Sequence, residues 1–265
     1  MEWVLPQLWP LVIAGGFVVG LLVGLTGVGA GSLTTPFLIS VIGVNPITAV
    51  GTDLLFACIT KSTSAVQHHR LGNVNYNILK WLAAGSLPAA GLVFLWLSTS
   101  GVDATTLAIL IRRIIAVALL VSAVSIAAYP LLVRSHPQAA NDNNDDANGR
   151  PMLTLLLGIV LGATVALTSI GAGAIGVVVL AGVYPALQVR RLIGTDIVHA
   201  IPLTLVAGLA HLSLGHVNVP LLGTLLIGSV PGIALGSRLT GTMPDWTLRL
   251  VLSAVLLLEI GRAHV

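Results

Sequence analysis

Long apolar stretches recur along the whole chain, and they constrain its fold more than any other feature. Most of them reach the length of about 20 residues that a helix needs to cross a bilayer. Their bounds are 11–42, 48–66, 77–98, 114–133, 152–183, 193–212, 218–237 and 246–259. Because backbone groups in lipid must pair with each other, helices are the default. The sequence therefore predicts an all-α, polytopic integral membrane bundle of about eight spans.

Charged residues are too few for a water-soluble protein of this size. They make up 8% of the 265 residues, against roughly a quarter in ordinary soluble domains. This excludes a soluble enzyme and a disordered chain, and a net charge of +3 without a basic patch argues against nucleic-acid binding. A single cysteine, Cys58, excludes a disulfide scaffold and a cysteine-based metal site. We therefore expect the lipid bilayer, and no nucleic acid, as a partner.

Four short blocks occur twice, in the same order, about half a chain apart. Leu25–Gly31 (LTGVGAG) matches Leu167–Gly173 (LTSIGAG) at a spacing of 142 residues, and three further blocks match at 143. These are Gly51-Thr-Asp53 with Gly194-Thr-Asp196, Leu71–Asn75 with Leu214–Asn218, and Gly85–Pro88 with Gly228–Pro231. Ordered blocks at one spacing indicate a duplication. We predict two tandem four-span repeats, 11–133 and 152–259, joined by a polar linker, 134–151.

The two ends of the chain carry no function in this interpretation. The N-terminal MEWVLPQLWP has no basic region and no small-residue cleavage site, so we expect no removable signal peptide. The last six residues, Ile260–Val265 (IGRAHV), break an apolar helix and resemble the translation of a common sequencing adapter. We treat them as an artefact and expect a different native C-terminus.

The first and fifth stretches are too long for one straight crossing, and each has a glycine-rich interruption. About 32 helical residues span roughly 48 Å, so we interpret both as broken or re-entrant helices. A helix that starts at mid-membrane presents unpaired N–H groups and partial positive charge, which suits an anion. Duplicated halves with such breaks are typical of secondary transporters. Parallel and inverted repeats both remain open, and the alternative is that the glycines serve close helix packing alone.

Polar side chains next to the first glycine block are candidates for binding the anion. Ser32 and Thr35 would donate hydroxyl groups, or else bond to carbonyls of their own helix. Lys61 would attract the anion or pair with Asp53. The alternative for Lys61 is a side chain that snorkels to the membrane surface.

Asp53 and Asp196 occupy equivalent positions, each after Gly-Thr and before an apolar run. Ionisable groups at membrane depth are costly and usually face a cavity or a partner. We predict that they bind or relay protons coupled to substrate movement; the alternative is N-capping near the membrane surface. His199, three residues after Asp196, shares its helix face and would take part, unless it only packs against a backbone carbonyl. We predict no metal ion, because the remaining histidines lack a nearby carboxylate or thiol.

Several of these motifs resemble those of the sulfite exporter TauE/SafE family. They are GVGAGSLTTP at 27–36, AVGTDL at 49–54, HRLGNV at 69–74, GTDIVHA at 194–200 and GSVPGIALGSRL at 228–239. The resemblance covers about residues 11–259, in the family's order. It implies a multi-pass secondary carrier of a bacterial inner membrane, whose cargo is a small sulfur-containing anion such as sulfite or an organosulfonate.

Carried over by position, the resemblance implies which residues line the site. They are Gly27, Gly29, Gly31, Asp53, Ser169, Gly171, Gly173 and Asp196, and we add the neighbouring Thr52 and Thr195 as substrate ligands. We thus predict an anion transporter coupled to the proton gradient, without a cofactor, and not an enzyme. The alternatives are a passive anion channel, a membrane scaffold, or an intramembrane enzyme that uses the two aspartates as a dyad.

Overall fold

The computed structural model describes residues 6–26, 31–134, 150–171, 173–185 and 187–239, and this part of the chain is helical. After a 3₁₀ turn at Pro6–Leu8, the helices are α1 (Trp9–Thr26), α2 (Gly31–Ser40), α3 (Pro46–Arg70), α4 (Tyr76–Thr99), α5 (Ala104–Arg134), α6 (Pro151–Thr168), α7 (Ala174–Val183), α8 (Val189–Ser213) and α9 (Val219–Leu239). Five of them, α4, α5, α6, α8 and α9, are long and apolar enough to cross a membrane. The predicted all-α, multi-pass bundle is confirmed at this level, while the number of about eight spans and their arrangement in two tandem four-span repeats stay predictions. The predicted span 246–259, most of the linker and Ile260–Val265 lie outside the described residues.

The bundle has apolar side chains on its outside and ionisable ones in its interior. Leu92, Val117, Val160 and Ile227 are exposed to 67%, 62%, 63% and 66%, respectively. Such a surface suits lipid and would be a liability in water. Asp53, Lys61 and Asp196, in contrast, are buried.

Each of the two long apolar stretches holds a pair of helices, α1 with α2 and α6 with α7. The ring of Phe37 in α2 lies against Gly15 in α1. The hydroxyl of Tyr184, just after α7, forms a hydrogen bond with Thr154 in the first turn of α6. The second helix of each pair therefore runs back along the first, as a re-entrant segment does.

The reversal between α6 and α7 depends on unusual backbone angles. Positive φ values occur at Ser169 (60°), Gly171 (134°) and Gly173 (123°). Glycine adopts these angles without a steric penalty, whereas a serine at positive φ is uncommon. Here the glycine-rich block thus ends one helix and permits the next to start in another direction.

Helix α5 begins ten residues before the predicted span at 114–133, so that boundary was wrong. Asp103 caps the helix, because its carboxylate accepts a hydrogen bond of 2.8 Å from the backbone N–H of Thr106. Arg112 and Arg113, which the prediction took as the edge of the span, lie exposed inside the helix. Their long side chains can reach polar surroundings while the backbone continues through the apolar region.

Helices α3 and α8 lie side by side at the centre and run in opposite directions. Gly51, near the start of α3, lies against the backbone of His216, beyond the end of α8. Gly194, near the start of α8, lies against the backbone of Asn73, beyond the end of α3. A Cβ at either glycine would overlap these backbone atoms, so the close approach requires glycine.

Two parallel pairs flank this centre, α1 with α9 and α4 with α6. Glycines of one helix lie against the backbone of the other in each pair: Gly16 against Leu225, Gly20 against Ser229, Gly158 against Leu82, and Gly162 against Ser86. Adding 142 to each glycine of α1 and subtracting 143 from its partner in α9 gives the contacts between α6 and α4. The two helix pairs are therefore packed through corresponding residues. Small residues at such contacts let membrane helices approach closely.

Candidate functional site

Asp53 lies seven residues into α3 and is fully buried. Its Oδ2 accepts a hydrogen bond of 2.7 Å from the hydroxyl of Thr35 in α2. The side chains of Thr34 and Ser169 face the same carboxylate. The start of α3 is capped by Asn45, whose side chain accepts a hydrogen bond from a backbone N–H. Asp53 is therefore not the N-cap, and that alternative was wrong.

Asp196 lies seven residues into α8 and is also fully buried, while the N-cap position belongs to Gln188. Among the described residues, neither of its carboxylate oxygens has a hydrogen-bond partner at normal geometry. The backbone N–H of Gly173 faces the carboxylate, and Gly176 lies against Oδ1, where a Cβ would overlap. Thr34 of the first half corresponds to this glycine, so Asp196 has fewer donors around it.

Lys61 lies in the middle of α3, with 6% of its surface exposed. It interacts electrostatically with both Asp53 and Asp196. A side chain that snorkels to the membrane surface would be exposed, so that alternative was wrong. The corresponding position in the second half is Thr204, so the duplication supplies no second lysine there. Lys61 is therefore shared by the two carboxylates.

His199 lies one turn after Asp196 in α8 and is fully buried. Its Nε2 forms a hydrogen bond of 2.7 Å with the hydroxyl of Ser86 in α4, and Lys61 acts on it electrostatically. Nδ1 has no partner within the described ranges. The alternative of a histidine bonded to a backbone carbonyl describes His211, whose Nε2 lies 3.0 Å from the carbonyl oxygen of Ala166, and not His199.

The starts of α2 and α7 bring parts of both glycine blocks to this group. Gly31, the first residue of α2, lies against the backbone carbonyl of Ser169. Gly173 is the N-cap of α7 and has no side chain that could accept a hydrogen bond from the first turn of that helix. The Ser169 hydroxyl, which faces Asp53, makes no hydrogen bond of normal geometry in the part of the chain that the structure describes. Ser32 is buried on α2, and Gly27 and Gly29 lie outside the described residues.

Thr52 and Thr195 each form a hydrogen bond with the turn that ends the central helix of the other half. The Thr52 hydroxyl accepts a hydrogen bond of 3.0 Å from the backbone N–H of Asn218, and the Thr195 hydroxyl accepts one of 2.9 Å from that of Asn75. The structure thus gives both threonines a structural role, and their role as substrate ligands stays a prediction.

Sequence reasoning missed Ser86 and Asn75 as parts of this arrangement. Ser86 positions His199, and the side chain of Asn75 caps α4 while its backbone N–H bonds to Thr195. Both residues stand in blocks that occur twice in the sequence, which is the signal that could have identified them. Their partners are 113 and 120 residues away along the chain, so the contacts themselves could not be predicted.

The group as a whole is a buried set of ionisable side chains beside two helix N-termini. With both carboxylates ionised, Lys61 charged and His199 neutral, it carries one net negative charge. Charges that are removed from water must be compensated by partners, by helix N–H groups or by bound protons. An anion placed here would add to a negative charge that is already removed from water.

Comparisons with known proteins agree with a membrane transporter. The family model described as Sulfite exporter TauE/SafE matches residues 12–262. The chain is 36% identical over 248 residues to "Probable membrane transporter protein YjnA" of Bacillus subtilis, covering 94% of this chain and 96% of that protein. It is 26% identical over 242 residues to "Probable membrane transporter protein YdhB" of the same organism, covering 90% and 93% of the two chains.

A third relative comes from an archaeon. The chain is 27% identical over 272 residues to "Probable membrane transporter protein MJ0441" of Methanocaldococcus jannaschii, covering 97% of this chain and 95% of that protein. No solved structure matches the chain. The family description and the names of all three relatives indicate a transporter and not an enzyme.

Proposed function

Because the chain belongs to the sulfite exporter TauE/SafE family, we propose that it is a secondary transporter of a small sulfur-containing anion, such as sulfite or an organosulfonate. We place it in the bacterial inner membrane and couple its transport to the proton gradient. The family and the names of the relatives support transport. The family description supports sulfur in the substrate, and the buried charges support the coupling.

The observation that carries this proposal is the position of Lys61, buried and shared by Asp53 and Asp196. While both carboxylates are ionised, they hold the lysine and repel an incoming anion, since charges interact strongly away from water. A proton on one carboxylate removes that repulsion and leaves Lys61 available to the anion. Binding of the proton and of the anion thus favour each other, and such linkage is reciprocal.

The site would take the anion at the starts of α2 and α7. Gly31 and Gly173 stand at these starts, where the helix dipole favours negative charge. The Ser169 hydroxyl, which faces the Asp53 carboxylate but makes no hydrogen bond of normal geometry among the described residues, is a further donor. Asp196, whose oxygens accept no well-formed hydrogen bond within the same ranges, is the first acceptor of the proton in this scheme, and His199 is the neighbouring group that can exchange it.

Flux into proteoliposomes tests the proposal. The purified full chain is reconstituted, the membrane potential is clamped with potassium and valinomycin, and the vesicles are offered sulfite, sulfate, thiosulfate, an alkylsulfonate or chloride. We expect a sulfur anion to accumulate in vesicles with an alkaline interior, because proton and anion move together. Empty liposomes and Asp196→Asn protein are the controls.

Two results would contradict different parts of the proposal. Flux that follows only the gradient of the anion, with no response to the pH difference, identifies a passive channel. Absence of flux for every sulfur anion, in protein that remains folded, rejects the substrate class.

A further inference from the structure

The contacts between α3 and α8 fix the relative direction of the two halves. Residue numbers fall along α8 as they rise along α3. Successive contacts are Gly51 with His216, Leu55 with Gly208, Cys58 with Thr204, and Asn73 with Gly194. These two helices carry the corresponding Gly-Thr-Asp blocks. Corresponding helices that run antiparallel are related by an axis perpendicular to their length.

The hydrogen bonds between the halves show that this relation is a two-fold one. The backbone N–H of Asn75 bonds to the Thr195 hydroxyl, and that of Asn218 bonds to the Thr52 hydroxyl. Asn218 corresponds to Asn75, and Thr195 to Thr52, both at a spacing of 143. Exchanging the halves therefore maps each bond onto the other, as a two-fold axis does.

Two apolar clusters mark the opposite ends of the bundle. Cluster A comprises Val12, Leu38, Ile42, Val44, Ala49, Phe56, Leu221, Leu222 and Leu225. Cluster B comprises Ile78, Leu82, Leu161, Leu180, Ala181, Tyr184, Leu187 and Leu192. Cluster A thus joins the starts of α1, α3 and α9 to the end of α2. Cluster B joins the starts of α4 and α8 to the end of α7 and to Leu161 of α6, and six of its eight positions correspond to positions of cluster A.

Tracing the chain between these clusters gives its path through the membrane. The pair α1 and α2 leaves end A and returns to it, after which α3, α4 and α5 run from one end of the bundle to the other three times and finish at end B. The pair α6 and α7 then leaves end B and returns to it, and α8 begins its crossing there. Because the re-entrant pair adds no net crossing, the first half changes sides and the second half starts from the opposite face.

Basic residues are concentrated at end B. Seven stand there, at helix ends or in adjoining turns: Arg70, Lys80, Arg134, Arg150, Arg190, Arg191 and Arg238. The turns at end A, which are 41–45, 100–103 and 214–218, contain no lysine or arginine. Arg112 and Arg113 lie inside α5 and belong to neither set of turns. Cytoplasmic turns of membrane proteins are enriched in lysine and arginine.

We propose that the two halves are inserted in the membrane in opposite orientations, with end B in the cytoplasm and end A on the external side. Asp53 then lies about 10 Å of helix from the external end of α3, and Asp196 about 10 Å from the cytoplasmic end of α8, at 1.5 Å per residue. The two carboxylates that share Lys61 thus lie nearer to opposite faces. This proposal rests on helix directions and holds whether or not the substrate is a sulfur anion.

Cysteine labelling of the full chain in native membranes tests it without any measure of transport. The native Cys58, which is buried, is first removed by the substitution Cys58→Ser. Single cysteines are then introduced into this variant as Leu71→Cys and Leu214→Cys. These positions correspond at a spacing of 143 and lie in the turns at end B and end A. Ser213→Cys and Ser100→Cys, both exposed at end A, are labelled in parallel. Right-side-out and inside-out vesicles are treated with a membrane-impermeant maleimide, and total cysteine is measured after detergent.

We expect Leu71→Cys to be labelled in inside-out vesicles only, and the three cysteines at end A in right-side-out vesicles only. Labelling of Leu71→Cys and Leu214→Cys from one and the same side would show parallel halves and overturn the proposal. Labelling of Leu71→Cys in right-side-out vesicles and of Leu214→Cys in inside-out vesicles would overturn the assignment of end B to the cytoplasm. If Leu214→Cys stays unlabelled, Ser213→Cys and Ser100→Cys decide, because they report the same end.

Discussion

The hydroxyl of Thr35 donates a hydrogen bond of 2.7 Å to Oδ2 of Asp53, but the corresponding residue of the second half is Val177, which has no donor. Thr34 likewise corresponds to Gly176, which lies against Asp196. Two aspartates in identical Gly-Thr-Asp blocks are therefore held differently. Asp53 is fixed by hydroxyl groups of α2, whereas Asp196 depends on a backbone N–H and on Lys61.

Removing the Thr35 hydroxyl should make the first carboxylate resemble the second. Thr35→Val keeps the volume of a fully buried side chain, so packing is preserved while one donor is lost. We expect the free energy of unfolding to fall by about 1.5–3 kcal/mol, the usual range for a hydrogen bond to a charged group, measured by thermal unfolding in detergent. Val177→Thr is the matched variant, and it should not lose stability in the same way. Equal stability of Thr35→Val and the parent would contradict an ionised, bonded Asp53.

The response to a pH difference should depend on Asp196. In Asp196→Asn protein the amide cannot exchange a proton, so we expect accumulation driven by an imposed pH difference to disappear and the flux to fall by about tenfold or more, equivalent to about 1.4 kcal/mol in the barrier. The measurement is proteoliposome flux at several pH differences. Unchanged accumulation would remove Asp196 from the coupling mechanism.

Asp103 supplies the control for that experiment. It is an exposed carboxylate at the start of α5, and the N–H of Thr106 holds the pKa of Asp103 below its usual range. It therefore stays ionised throughout the neutral range and contributes no titration there. Since asparagine also caps helices well, Asp103→Asn should leave both the fold and the pH response of flux unchanged.

Sequence reasoning singled out the charged residues that the structure buries and brings into electrostatic interaction, and their role in a site stays a prediction. Asp53, Asp196 and Lys61 are conspicuous because ionisable residues in apolar runs are expensive and seldom lack a role. Their burial and electrostatic interactions follow that expectation. The direction of α2 could not be predicted, because a glycine block permits a reversal as readily as a kink. The contact of Phe37 with Gly15, which depends on packing, shows which of the two occurs.

The start of α5 and the role of Ser86 were missed for different reasons. The signal for α5 was present in the sequence, since Asp103 precedes a helical run as an N-cap does, but the pair Arg112 and Arg113 suggested a later boundary. Ser86 is a small polar residue whose partner, His199, lies on another helix. Local patterns cannot identify such a pair.

Loss of Lys61 should destabilise the protein, because the lysine compensates the charges of Asp53 and Asp196. Lys61→Met leaves a buried, uncompensated charge, and removing one partner of a buried pair costs about 3–5 kcal/mol. We expect a marked loss of thermal stability, and Lys61→Arg, which keeps the charge, should lose less.

A double-mutant cycle separates this charge effect from a change in packing. Adding Asp196→Asn to Lys61→Met removes one of the uncompensated charges, so the double variant should be more stable than the sum of the single effects predicts. Coupling between contacting residues is typically about 0.5–3 kcal/mol. Additive effects in thermal unfolding would show that Lys61 is held by packing alone.

Close packing of α4 against α6 should control the position of His199. Gly162 lies against Ser86, and a Cβ added there would be 2.6 Å from the Ser86 Cα. Gly162→Ala must therefore push α4 away and stretch the 2.7 Å hydrogen bond between Ser86 and His199. We expect a loss of about 1–3 kcal/mol in stability, as for other overpacked sites, together with a lower flux.

Two other glycines separate the effect on packing from the effect on His199. Gly20→Ala makes the corresponding clash with Ser229, but position 56, which corresponds to His199, is a phenylalanine. It should lose similar stability with a smaller loss of flux per folded protein. A Cβ added at Gly223 in α9 would meet no atom of the described residues within 4 Å, so Gly223→Ala should be neutral or gain up to about 1 kcal/mol from helix propensity. Equal flux from folded Gly162→Ala and Gly20→Ala proteins would show that the bond between Ser86 and His199 does not matter for transport.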